Sequence, residues 1–315
     1  MKKILFSSVL GVLFLNASAL TYELPKKGND IVGQVQIIKV GRSNRVDIAQ
    51  RYDMGFYELV EANPGININR LRSSQQIVIP SRFILPSAPH AGMVINLAEM
   101  RMYFYPKGTG EVITLPVGIG REGWATPLGK TKIIAKARDP YWRPTQAVRE
   151  DFLKRYGYPL PELMGPGPEN PLGQYAIRLA WPSYLIHGTN SPDGVGQRVS
   201  AGCIRMFNED VGSIFDYLHN GTQVNVVYQP YKAAWDGKTL YLEAHIPIVQ
   251  RPTVNYRDVI RQAEKEYAGK NVNINWQKAK QVVELSLGVP QPIGYIASGL
   301  SHSATNKVER VETAN

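Results

Sequence analysis

The sequence predicts a mainly β core over residues 92–228, a sandwich or barrel with a few short helices. A small β-α-α-β module precedes it and a small α/β appendage follows. Three observations predict this. Seven strand-like runs (MVINL, RMYFYP, EVITLPVGI, GKTKIIAKA, QYAIRLA, SYLIHG and TQVNVVY) crowd the middle of the chain. Several alternate apolar and polar residues, and glycine or proline separates many of them, which is the pattern of a mostly antiparallel sheet. Upstream, the runs VQIIKV and IVIP bracket two short helical patterns; downstream of Tyr228, a short β pair and two amphipathic helices complete the chain.

The chain opens on Met1-Lys2-Lys3, an apolar run from Ile4 to Leu15 and the small-x-small triplet Ala17-Ser18-Ala19. That run is too short for a bilayer, which takes about 20 residues. Residues 1–19 therefore read as a cleaved secretory signal, with an uncleaved anchor as the alternative and no transmembrane segment after cleavage. Cleavage takes Lys2 and Lys3 from the formal charge of +10, leaving about +8. A basic exported protein calls for an anionic partner. No basic-aromatic stripe or nucleic-acid motif is present, so a cell-wall polymer is favoured over nucleic acid, and the periplasm is the expected location.

Residues 20–33 are polar, carry Pro25, Gly28 and Gly33, and read as a linker. In the module, residues 34–80, the strand VQIIKV precedes a helix over 47–52 with Ile48, Ala49 and Tyr52 on one face. A second helix, FYELVEANP, stops at Pro64, and IVIP closes the unit. Punctuation at Pro86, Pro89 and Gly92 marks the next boundary. Between Asp139 and Pro171 the β pattern gives way to proline and aromatics around one helical run, Gln146 to Tyr156. A long insertion of this kind predicts a packed lid. The appendage, 229–300, contains KTLYLEAHI and helices over 256–267 and 276–287, with no chemical constellation. The polar tail, 301–315, predicts no fixed structure.

Cys203 is the only cysteine. Exported proteins use cysteines in pairs, so an unpaired one is either a small buried hydrophobe or a reactive thiol. A thiol needs a base or nearby positive charge to react at neutral pH. Of five histidines, His90 lies in a linker, His219 at a helix end, His245 in the appendage and His302 in the tail. His187 ends the strand SYLIHG where it opens into a glycine-rich loop, a rigid mount for a general base. The loop returns as Ser200-Ala201-Gly202-Cys203-Ile204-Arg205. Gly202 permits close backbone approach, and the amides of Gly202 and Cys203 are candidate oxyanion donors. Asn208 reads as the N-cap of a helix carrying Val211, Ile214, Phe215 and Leu218 and ending at Asn220-Gly221. That helix start would favour a thiolate. One cysteine and one histidine are too few for a structural zinc site, and no metal or other cofactor is expected. The residues alone leave two readings open: a catalytic Cys203–His187 pair, or a half-buried cysteine beside a structural histidine.

Two resemblances sharpen this. DIAQRYDMGFYELVEANPGIN with QQIVIP resembles a LysM module, which implies binding of peptidoglycan glycan; its usual Gly-Asp-Thr-Leu opening is here Gly41-Arg42-Ser43-Asn44. HGTN, Gly196, SAGCIRM and the following Asn208-Glu209-Asp210-Val211 resemble the active-site signature of the L,D-transpeptidases with a YkuD-type catalytic domain, in the ErfK/YbiS-like periplasmic subgroup. This resemblance implies that Cys203 is the nucleophile attacking the bond after diaminopimelate in a tetrapeptide stem, releasing D-alanine. It implies that His187 is the base, that the Gly188 carbonyl orients it, and that Arg205 meets a substrate carboxylate. Ser200 and Gly202 fall on motif positions, Ser200 as a local hydrogen bond. Some branches carry histidine directly before Gly-Cys; here that position is Ala201, so His187 must carry the proton transfers. The acyl acceptor implied is an amine of another stem or a lysine of an outer-membrane lipoprotein. A wall carboxypeptidase or cysteine peptidase, and a non-catalytic wall-binding protein, are the alternatives.

Overall fold

The computed structural model describes residues 19–25, 29–248, 251–268 and 270–297. All of the expected leader but Ala19, and the tail 301–315, lie outside the described residues. Among those described, no helix is long and apolar enough to cross a membrane.

The stretch expected to be a linker contains two strands. β1 (Leu20–Glu23) adds to the edge of the core sheet, with Leu20 opposite Thr114 and Glu23 opposite Glu111. β2 (Ile31–Gly33) pairs with a later strand over 82–84. The module then forms from β3 (Gln36–Lys39), α1 (Arg45–Tyr52), α2 (Phe56–Ala62) and β4 (Gln76–Ile79), followed by β5 (Arg82–Ile84). β3 and β4 pair antiparallel. Asn44 starts α1 with a capping box: its Oδ1 accepts from the amides of Val46 and Asp47, and the Asp47 carboxylate accepts from its own amide. Such a cap typically contributes about 1 kcal/mol. Asn63 ends α2 by donating to the Leu59 and Val78 carbonyls and accepting from the Val78 amide.

The module is not a bead on a string. Met54, Leu59 and Ile77 share one buried cluster with Val94, Tyr103, Val195 and Phe207 of the core. Arg101, fully buried on a core strand, reaches into the module: its Nε meets Glu58 Oε1 at 2.5 Å, and Nη2 donates to the Asp53 carbonyl.

The core comprises β6 (Gly92–Asn96), β7 (Arg101–Tyr105), β8 (Glu111–Pro116), β9 (Ile119–Gly120), β10 (Gly129–Arg138), α3 (Gln146–Tyr156), β11 (Tyr175–Leu179), β12 (Leu185–His187), β13 (Arg198–Ser200), β14 (Ile204–Arg205), α4 (Asn208–Phe215) and β15 (Gln223–Val227). Nine strands make one sheet in the order β1-β8-β7-β6-β15-β10-β11-β12-β14. Most neighbours are antiparallel as expected, but β6–β15 and β12–β14 are parallel, as is the separate two-stranded pair β9–β13. Met93, Met102, Leu115, Ile133, Ile177 and Ile186 fill one face, closed by Val211, Ile214 and Phe215 of α4. That helix ends at Phe215, short of Asn220, because its last turn tightens: the amides of Tyr217 and Leu218 bond three residues back.

The insertion carries α3 over the expected residues, but it is not packed as a lid. No residue of α3 is buried, and Tyr141, Tyr156 and Tyr158 are exposed. An ion pair of 2.8 Å from Asp151 to Arg121 ties the helix to the core, with Val148 and Phe152 half-buried.

The appendage has four strands rather than a pair: β16 (Tyr231–Asp236), β17 (Thr239–Ala244), β18 (Val272–Ile274) and β19 (Gln291–Ile296), in the order β16-β17-β19-β18. α5 (Tyr256–Glu264) and α6 (Trp276–Leu285) pack on it around the buried Trp235. Its sheet is welded to the rest by a buried charge network. Lys232 Nζ lies 2.7 Å from Glu99 and 2.8 Å from Glu243. His245 bridges Glu61 of the module at 2.9 Å and Glu243 at 2.8 Å. Burial pulls His245 down, but Glu61 and Glu243 outweigh it and push it up to about 10. Glu99, Glu243 and His245 have the closeness of metal ligands, yet Lys232 already supplies positive charge to both carboxylates. Lys232→Met, which strands those carboxylates, is expected to cost about 3–5 kcal/mol of stability, read by urea unfolding; a loss below about 1 kcal/mol would mean that the network is dispensable.

Candidate active site

β12 and β14 run side by side in parallel, with Ile186 opposite Ile204 and His187 opposite Arg205. Residues opposite one another in a ladder share a face of the sheet, so His187 and Arg205 emerge together, with Cys203 two residues before Arg205. Arg205 is held from the other side too, by paired backbone bonds with Gly118 of 2.7 and 2.9 Å. A Cβ on Gly118 would lie 2.6 Å from the Gly194 carbonyl, so glycine is required for this clamp.

His187 is buried, and its Nδ1 lies 2.6 Å from the Gly188 carbonyl. Only a protonated Nδ1 can donate there, which leaves Nε2 as the basic nitrogen. Burial, helped by the Arg205 guanidinium, lowers its pKa to about 4. The imidazole is therefore neutral, and able to accept a proton, across the physiological range. Cys203 is half-buried. Burial pushes its thiol up, against smaller opposing effects of a Leu185 backbone hydrogen bond and Arg205. Its Sγ lies 3.7 Å from the Ser183 carbonyl. The helix start invoked from the sequence does not win: α4 begins five residues later, and desolvation dominates, so the resting pair is thiol and imidazole.

The Ser200 hydroxyl pins the turn before the thiol. It donates to the Cys203 carbonyl at 2.5 Å and accepts from the Gly202 amide at 3.1 Å. The Gly202 amide is thus engaged and is not free for an oxyanion in this arrangement. Gly202 itself has φ +101°, and a Cβ there would meet the Tyr184 ring at 2.9 Å. Thr126 fixes the other side of the turn by donating to the Gly202 carbonyl. The Arg205 Nε is buried without a hydrogen-bond partner, and a Cβ on Gly194 would crowd its guanidinium at 2.6 Å.

Asn208 is the residue whose part the sequence disguised. The N-cap position is Phe207; Asn208 is the first residue of α4, and its side chain faces the histidine loop. Its Oδ1 accepts from the Gln174 and Thr189 amides, both at 3.1 Å, and its Nδ2 donates to the Thr189 carbonyl at 2.8 Å. Gly173 and Gly188 leave room for it: a Cβ on either would come within 2.1 Å of Oδ1. Asn208→Ala is expected to cost about 2–3 kcal/mol of stability at roughly 1 kcal/mol per bond and to lower turnover by loosening the segment after His187. Thermal unfolding and turnover measured together check this; an unchanged rate would show that the loop holds without it.

The YkuD L,D-transpeptidase catalytic domain family matches residues 91–226. The probable L,D-transpeptidase YbiS of Escherichia coli is 41% identical over 254 residues, covering 78% of this chain and 82% of that protein. The probable L,D-transpeptidase ErfK/SrfK of Salmonella typhimurium is 40% identical over 236 residues, covering 73% and 75%. The probable L,D-transpeptidase YcfS of E. coli is 38% identical over 246 residues, covering 76% and 77%. With that identity running through most of the chain on both sides, this protein belongs to the L,D-transpeptidase family.

Proposed function

We propose that this enzyme acts in the periplasm on peptidoglycan stem peptides, with Cys203 as nucleophile and His187 as its base. The observation that carries this reading is the β12–β14 register, which sets His187 opposite Arg205, two residues along the chain from Cys203. His187 Nε2 takes the thiol proton as Sγ attacks the carbonyl between diaminopimelate and D-alanine. The C–N bond breaks, the same proton goes to the departing D-alanine amine, and a thioester remains. An acceptor amine then loses its proton to Nε2, attacks the thioester and regenerates the thiol. A neutral resting thiol confines ionisation to the moment of attack, which protects it from stray oxidants. Arg205, whose buried Nε has no hydrogen-bond partner, is suited to a substrate carboxylate, which a guanidinium binds in a fork.

The acceptor separates the biological outcomes: another stem, a lipoprotein lysine, or water. Purified protein given a tetrapeptide muropeptide with both a stem amine and a lysine-ended lipoprotein peptide should yield a joined product. Free tripeptide alone would make it a carboxypeptidase. The module is assigned to glycan through its surface cleft, lined by Asn67, Arg70 and Arg72. Asn67→Ala with Arg70→Ala should weaken sedimentation with purified wall while leaving reaction on soluble stems intact.

A further inference from the structure

We infer that Asp53 and Asp210 form a buried receptor for the α-ammonium group of Leu20, a group that exists only after the leader is cut from it. This rests on the reading of residues 1–19 as a cleaved leader. Hydrolysis of the Ala19–Leu20 bond adds water: the Ala19 carbonyl takes the hydroxide, and the Leu20 nitrogen takes the proton and a second one from solvent. One amide N–H thereby becomes three donors with a positive charge.

The receptor is already built. The Leu20 nitrogen lies 2.9 Å from Asp53 Oδ2. Asp53 and Asp210 are both buried, and Asp210 Oδ2 has no hydrogen-bond donor against it. The charges facing this place come from every element packed around it: Asp53 at the end of α1, Glu58 on α2, Arg101 on β7, Asp210 and Glu209 on α4, with Tyr22 on β1 itself. Glu58 takes the Arg101 guanidinium in a two-point ion pair. Arg101 thus favours both aspartates only from a distance, its hydrogen bonds going to Glu58, Thr114 and the Asp53 carbonyl rather than to either aspartate carboxylate. Burial pushes both up, Glu58 adding to it at Asp53 and the Asp53 charge adding to it at Asp210, while the hydrogen bond between them holds the proton on Asp210 and favours the Asp53 carboxylate. An ammonium at Leu20 supplies the missing charge at the right atom.

The pocket joins three parts: β1, the end of α1 in the module, and the first turn of α4, two residues after Asn208. Filling it ties the histidine loop, through Asn208, to the chain's own processed end. The protein cut from its leader is thus tighter at this seam than its precursor.

The test compares the protein beginning at Leu20 with the same protein beginning at Ala19. The structure already accommodates Ala19, so the extension moves only the charge. In the Leu20 form, the α-amino group, followed by isotope-edited NMR, should titrate above about 9 rather than at the ordinary 7.7–8.0. Its Tm at pH 7 should exceed that of the Ala19 form by about 2–4 °C, and the difference should vanish above the raised pKa. Asp53→Asn, which keeps a residue that tolerates the left-handed backbone at 53, should return the amine towards its ordinary value. An ordinary titration in the folded Leu20 form would overturn the receptor itself. N-terminal sequencing of the exported protein tests the premise separately: a start other than Leu20 would overturn the inference through the leader, whatever the titration showed.

Discussion

Cys203→Ala leaves the protein folded and unable to form any acyl-enzyme. The expectation follows from position: Cys203 is the only thiol in the chain, and its side chain takes no part in the ladder that holds the turn. The bonds that shape the turn run through Ser200, Gly202 and Thr126, all of which remain. Loss of one half-buried sulfur is expected to change stability by about 1 kcal/mol, whereas chemistry that begins at sulfur falls to background. Mass spectrometry after exposure to a carbapenem reads this directly, as an adduct on the parent protein and none on the variant. An adduct on Cys203→Ala would sink the assignment; so would a folded parent protein that takes none.

His187→Ala should slow acylation by about 10²–10⁴, the range for loss of a general base. With the thiol pushed up by burial, little thiolate exists at pH 7 without a base, so its removal is not compensated by the resting state. The pH dependence separates this from a structural defect. His187 is held near 4, below its ordinary 6.5, so the basic form is present above about pH 4. Activity should therefore persist at pH 5 and fall only as the pH drops through about 4; a limb centred near 6.5 would contradict the buried, neutral imidazole. Stability runs the same way: between 6.5 and about 4 the unfolded chain binds the proton and the folded one does not, so stability is lost as pH falls through that window. In His187→Ala that part of the acid sensitivity should disappear from urea titrations.

The parts legible in the sequence were those with local signatures. The alternating runs became strands, α3 formed over Gln146–Tyr156 as the pattern indicates, and the His187 and Cys203 loop fell between strands. The unreadable parts depended on distant partners. β1 and β2 have four and three residues, too few for a period, and exist because the strands beside them offer an edge. The parallel β12–β14 pair depends on where a loop returns, which no local pattern records. Asn208 has the residue type of a cap, and only the glycines opposite it reveal a cross-link. His245 reads in the sequence only as a histidine of the appendage, since its partner Glu61 lies 184 positions away.

One contact sets how the two halves of the protein work together. The amides of Phe56 and Tyr57 at the start of α2 donate to the carbonyls of Val195 and Gly196, in the loop between His187 and Cys203. Gly55 and Gly196 meet backbone to backbone, so closely that a Cβ on either would overlap the other. With no slack at that joint, the distance from the module's outer surface to the thiol is a fixed length. If the module holds a wall glycan as proposed, the enzyme works as a caliper: a strand gripped by one jaw would present its peptides to the other at a single spacing, and substrates would be selected by where they hang as well as by what they are.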